Sequence, residues 1–280
     1  MVEAATIRMR LHTYEELGGC IAPRLKLPLS ILAMQPKVLH INISATPADA
    51  AGFTEIDPCP AYQTASTAVA IEILSSSNTD NQAAGGHLQE VNIIGTDEND
   101  ELVTKPQLLH ATAGTTVVTS TTTWKNVFHT YGIQWGTGDK DAAGNITVQK
   151  IDDTDLCVIT AAGNESEGSA FRVPDGHCAL LDHRSLRRTA PAAGVYANDE
   201  GVRLKVEWID EIDGTTGLVA ADRTNNYFIM EVVGAFENVE ENTFPTEVFE
   251  SGTWIHFWHS SKVNAGEAYD AHFSFVIWKK

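Results

Sequence analysis

The chain lacks most of the features by which a function is read from sequence. Its four cysteines, Cys20, Cys59, Cys157 and Cys178, form no CxxC pair. Thiols scattered in this way are expected to be free and buried in a reducing cytosol. No run of about 18 apolar residues occurs, so no membrane-spanning helix is expected. The stretch "MVEAATIRMR" has Glu3 where a secretory leader carries basic residues, and no apolar stretch follows it, so no leader is expected. Positive charge is scarce: 19 Lys and Arg stand against 37 Asp and Glu, a net of −18. Binding a nucleic acid through its phosphates requires a basic patch, and this balance argues against it. Sustained helical periodicity is also missing, with "TYEELGG" offering a helical turn at most.

Catalytic signatures are missing too. There is no G-x-S-x-G elbow, no P-loop, no G-x-G-x-x-G and no HExxH. Carboxylates on separate strands could form a glycosidase pair, but with 37 acidic residues chance pairs are plentiful and carry no signal. No enzyme and no cofactor are therefore expected.

What the sequence does have, from about residue 61 onward, is a period of two. "AVAIEIL" aligns Val69, Ile71 and Ile73, and "KNVFHTYGIQW" aligns Val127, His129, Tyr131, Ile133 and Trp135. "GVRLKVEW" sends Val202, Leu204, Val206 and Trp208 inward and Arg203, Lys205 and Glu207 outward. "AHFSFVIW" aligns Phe273, Phe275 and Ile277. Alternation of this kind marks half-buried antiparallel strands, and turn clusters such as "GTDENDE" and "VPDG" separate them. The expected class is all-β: tandem antiparallel sandwich or jelly-roll domains over 61–152 and 153–280, joined near residues 150–165.

Residues 1–60 differ. They hold six of the ten prolines and a net charge of only −1, so nearly all of the negative charge lies beyond them. Proline at this density breaks helices and ladders, yet "LKLPLSILAM" and "KVLHINI" are too apolar for a solvated tail. One reading is an extended N-terminal arm lying on its own domain or on a neighbouring subunit, with Leu25, Leu27, Ile31 and Leu32 as contacts. The other is an irregular N-terminal strand of the first domain.

Candidate sites are few. "VNIIGTDENDELVT" crowds acids, but it lacks the central Gly of an EF-hand and returns directly into a strand, so a hairpin tip is expected. "GDKDAAGN" offers Asp139, Asp141 and Asn145 as weak ligands for a hard cation; three oxygens from one loop bind weakly, and a turn is the simpler reading. No histidines fall at ligand spacing, and His256 and His259, three apart, point to opposite faces of a strand. Arg184, Arg187 and Arg188 gather positive charge that could meet acids of a sister subunit, an anionic ligand, or partners within the chain. Trp254 and Trp258, among six aromatics near the C-terminus, suggest a core plus an interface, with sugar stacking as the alternative.

Several of these segments resemble virion structural proteins of tailed bacteriophages. The resemblance covers about residues 68–280. It rests on "VNIIGTDENDELVT" with the Thr-rich run and "NITV" that follow, on "AFRVPDGHCALLDHRSLRR", on "RLKVEW", and on "FESGTWIHFWHSSKVNAGEAYDAHFSFVIW". It implies a non-enzymatic head or tail component made in the host cytoplasm. The first expectation is a capsid cement or decoration protein that straps onto the major capsid protein, often as a homotrimer. The alternative is a fibre or knob subunit that binds a host receptor or surface glycan. Neither role implies nucleic-acid or membrane binding.

Overall fold

The computed structural model describes residues 6–13, 36–47, 52–56, 67–137, 140–152, 154–166, 170–190, 201–209, 226–233, 238–241, 248–261 and 268–280. The chain divides into two units. The first comprises Met1–Ile56, Phe171–Glu211 and Arg223–Lys280, and the second comprises Asp57–Ala170 and Ile212–Asp222. All regular structure among the described residues is β.

The first unit begins with β1 (Thr6–Thr13), β2 (Lys37–Ala45) and β3 (Thr54–Glu55). The second contributes β4 (Val69–Ser75), β5 (Leu88–Asp97), β6 (Leu102–Leu108), β7 (Val118–Trp135), β8 (Ile146–Lys150) and β9 (Asp155–Ile159). The first then resumes with β10 (Phe171–Arg172), β11 (His177–Ala190), β12 (Gly201–Ile209), β13 (Asn226–Val233), β14 (Asn238–Glu241), β15 (Val248–Phe249), β16 (Trp254–Ser261) and β17 (Ala268–Lys279).

Two expectations shift here. The supposed arm supplies β1, β2 and β3 to the same unit as β10 to β17, because "KVLHINISA" alternates, buries Leu39, Ile41 and Ile43, and pairs between β1 and β17. Leu25, Leu27, Ile31 and Leu32 lie outside the described residues. The join also moves, because β9 pairs with β8 and so belongs with the second unit, which runs to Ala170.

The second unit is one antiparallel sheet in the order β6-β5-β7-β4-β8-β9. Ile71, Ile73, Val91, Ile93, Ile146, Val148 and Ile159 close its core around Trp124 and Val127. Strand β7 does not keep the simple alternation expected of it. It pairs with β5 through several register shifts, one skipping Lys125 and another skipping Phe128. Each bulge moves the side-chain phase by one residue. Trp124 and Val127, three apart, therefore both reach the core, while His129 turns to Glu165 and Ser166. At the irregularity that skips Phe128, Gly95 lets two backbones meet, since a Cβ there would stand 2.1 Å from the Asn126 carbonyl oxygen.

The acidic stretch 97–101 is the β5–β6 hairpin tip. Asp97 Oδ1 accepts from the Asn99 and Glu101 N–H groups, and Asp100 takes the left-handed conformation at φ 62. Asp100 pairs with Lys125 at 2.6 Å. A second carboxylate organises the opposite loops. Asp80 is 0% exposed. Its Oδ2 accepts from the Ser75 hydroxyl and the Gly144 N–H, and its Oδ1 accepts from the Ala143 and Leu88 N–H groups.

The first unit is a sandwich. One sheet runs β1-β2-β17-β11-β14, with β15 also paired to β11, and the other runs β10-β16-β12-β13, with β3 on β16. Rings pack between them: Phe171 against Phe275 and Phe257 against Phe273, both at 4.8 Å between centroids, and Trp208 against Phe249 at 5.5 Å. Of the expected inward set of β12, Val202, Leu204 and Val206 are fully buried and Trp208 is half-buried against Phe249, while Glu207, expected outward, is buried as well. Gly176, at φ +71, makes the tight turn into β11.

Candidate functional site

The outward face of the first sheet is polar because each of its central strands alternates. On β2, Leu39, Ile41 and Ile43 point inward, which leaves His40, Asn42 and Ser44 outside. On β17, Tyr269, Ala271, Phe273 and Phe275 point inward, which leaves Asp270, His272 and Ser274. Pairing then brings one histidine from each of four adjacent strands into a row. His12 of β1 lies 5.6 Å from His40, His40 stacks 5.5 Å from His272 of β17, and His272 lies 5.3 Å from His183 of β11.

Hydrogen bonds give the row a direction. Asn42 Oδ1 lies 2.7 Å from His272 Nδ1, which must therefore carry the proton. His272 Nε2 is then an acceptor for the Ser274 hydroxyl at 3.0 Å, and Ser274 Oγ in turn accepts from His40 Nδ1 at 2.8 Å. In this neutral arrangement every donor meets an acceptor. A second proton on His272 would break it, because Ser274 would face two donors. Burial, and then the His40 and His183 charges, push His272 down to about 4. Burial, followed by His12 and His183, lowers His40 as well.

Beside this row lies a groove of about 520 Å³. Arg8 of β1 and Arg187 of β11 form its sides, and Asn42, Ser44, Asp270, His272 and Ser185 line the rest. The Ser44 hydroxyl donates to Asp270 Oδ1 at 2.6 Å. Asp270 is the register partner of Arg187 across β17 and β11.

The arginine cluster read from the sequence splits across the sheet. Arg187 faces outward and is exposed. Arg184 and Arg188, at the other parity, turn inward: Arg184 lies 4.2 Å over the Phe228 ring and Arg188 is 3% exposed. Trp254 is buried. Trp258, on the outward face of the second sheet, holds Lys205 4.2 Å from its ring centre near exposed Tyr227.

The suggested cation loop presents donors, not ligands. Its Ala143 and Gly144 N–H groups bind Asp80, and Asn145 Oδ1 accepts from the Ala161 N–H. Asp141 is half-buried and Asp139 lies outside the described residues. No group of three His, Cys, Asp or Glu among the described residues could hold a metal.

Sequence reading missed one further constellation. Ser166 Oγ lies 3.0 Å from His129 Nδ1, and His129 Nε2 lies 3.3 Å from Glu165 Oε2. Ser166 is 1% exposed and its oxygen already accepts from the Thr130 N–H, so this serine–histidine–glutamate chain braces the 165–166 segment against β7. His259 is likewise structural, 2.9 Å from the Tyr269 hydroxyl inside the sandwich, and burial lowers it to about 4.

Acid should therefore weaken the first unit. His259 and His272 titrate near 6.5 when unfolded and about 4 when folded, so the unfolded chain binds more protons between these values. Stability is full above about pH 6.5 and falls towards pH 4, each group contributing a slope of up to about 1.4 kcal/mol per pH unit. Thermal melting across this range should show the decline, and His272→Gln should reduce it; a melting temperature flat from pH 7 to 4 would contradict the assignment.

No protein-family model matches the sequence. No curated protein matches it either. Among solved structures, the VP2 subviral particle of infectious bursal disease virus aligns at 9% identity over 99% of this chain and 72% of that chain, with a TM-score of 0.21. The Gt strain structure of the same virus aligns at 10% identity with a TM-score of 0.19, again over 99% of this chain and 72% of that chain. TM-scores of this size do not establish a shared topology.

Proposed function

We propose that the chain is a non-enzymatic structural protein of a virus particle, and more specifically a cement or decoration subunit of a tailed-phage head. The observation that carries this reading is where the resembling segments fall. The segment that begins "VNIIGTDENDELVT" spans β5 to β8, "AFRVPDGHCALLDHRSLRR" spans β10 to β11, and the C-terminal segment spans β15 to β17. The turn-and-strand pattern that carries the resemblance is thus the pattern on which both units are built. In this reading the partners are copies of the chain itself, as a homotrimer, and the major capsid protein.

Quantitative mass spectrometry of purified particles tests it. Hundreds of copies per particle support a lattice-bound subunit. A few to a few dozen would move the chain to the tail or fibres, and absence from particles would end the proposal. One observation favours the fibre alternative: Trp258 and Tyr227, the latter 48% exposed, flank Lys205 on one sheet face, an arrangement suited to stacking on a sugar. Glycan binding lost in Trp258→Ala would support that role.

A further inference from the structure

We propose that the groove between Arg8 and Arg187 seats carboxylate side chains from a second copy of this chain. In one respect this rests on the reading above, since a particle subunit must meet copies of itself.

Charge argues for the occupant. The chain carries a net −18, and residues 57–170 hold fifteen Asp and Glu against four Lys and Arg. Copies therefore repel over most of their surface, and an approach is favoured where one presents positive charge. The groove does so: among the described residues that line it are the guanidiniums of Arg8 and Arg187 and one carboxylate, Asp270, which already holds the Ser44 hydroxyl. Arg187 stands across from Asp270 in register yet makes no ion pair among the described residues, so its planar fork is available to an incoming carboxylate. Size argues the same way, because a groove of about 520 Å³ admits several side chains, far more than one small ion fills. A cationic groove on one unit that receives acids concentrated on the other is a head-to-tail contact, and such contacts close into rings when the rotation permits.

Docking should also take up a proton. From β2, His40 and Asn42 face His272; from β11, His183, Ser185 and Arg187 do, with Asp182 beside His183. Along its own strand lie Asp270 and Ser274, and Arg8, Arg10 and His12 follow on β1. Burial first, and the His40 and His183 charges after it, keep the ring neutral. An arriving carboxylate opposes these effects and stabilises the imidazolium, so by linkage the contact tightens as pH falls.

Sedimentation velocity on the full chain tests this at about 50 and 500 mM NaCl, near pH 7.5 and pH 5.5. Self-association is expected at low salt and should be released at high salt. Arg187→Glu should weaken it at least about tenfold in Kd, and Arg187→Gln less so. Association should be tighter near pH 5.5, and His272→Gln should remove that gain while leaving the pH 7.5 value in place. A monomer under all conditions would overturn the proposal, as would an oligomer that neither Arg187 variant nor Arg8→Glu weakens. Either failure leaves the particle reading to be decided by copy number alone.

Discussion

Asp80→Ala should destabilise the second unit by about 3–5 kcal/mol, because four buried donors lose their shared acceptor at once. The carboxylate accepts from four donors on three separate segments: the Ser75 hydroxyl, the Leu88 N–H, and the Ala143 and Gly144 N–H groups. Removing it leaves these donors inside a site that is 0% exposed, each with an unmet desolvation cost of about 1–3 kcal/mol. Asp80→Asn should do little better, because whichever way the amide turns, its nitrogen points at a backbone N–H. Hydrogen exchange of the β4, β5 and β8 amides reads this unit separately from the other. That separation matters because a chain of two units need not unfold in one step. A loss below about 1 kcal/mol in Asp80→Ala would show that water replaces the carboxylate.

Phe275→Ala should cost the first unit about 3–5 kcal/mol. The ring is 0% exposed and meets Phe171 edge-on from the opposite sheet at 4.8 Å and Phe249 at 6.1 Å. Its cross-strand neighbours are Leu39 and Leu181, so four elements lose contacts at once. Tyr227→Ala, at a site 48% exposed on the edge strand β13, should stay within about 1 kcal/mol. Equal losses in the two variants would mean that the inter-sheet contacts do not dominate this core.

Much of the fold is legible in the sequence, and the reason differs from strand to strand. β12 alternates without interruption, so its inward face follows from period alone. β2 alternates as clearly, but period does not reveal a partner. Its place beside β17 depends on a pairing more than two hundred residues away, and so the segment reads equally well as an arm. β7 defeats a period-two reading because its bulges shift the phase, and nothing in "WKNVFHTYGIQW" marks Lys125 or Phe128 as the extra residues. The arginine triplet illustrates a signal left unused: 184 and 188 share a parity and 187 does not, so strand geometry alone puts Arg187 on the face opposite the other two. The histidine row was not legible. His12, His40, His183 and His272 are unrelated in sequence spacing, and only the order β1-β2-β17-β11 makes them neighbours.

The same pairing orders events during synthesis. Strand β2 lies between β1 and β17, and β17 spans residues 268–279. At ribosomal rates of about 5–20 residues per second, β2 waits roughly 10 to 45 seconds for its neighbour to be made. Strands β4 to β9, by contrast, lie within residues 69–159 and can pair as soon as they emerge. The nascent chain thus carries a finished sheet while "KVLHINISA", an apolar strand with one side of its ladder open, is held in reserve. During that interval a ribosome-associated chaperone would find its binding site near the N-terminus, on β2.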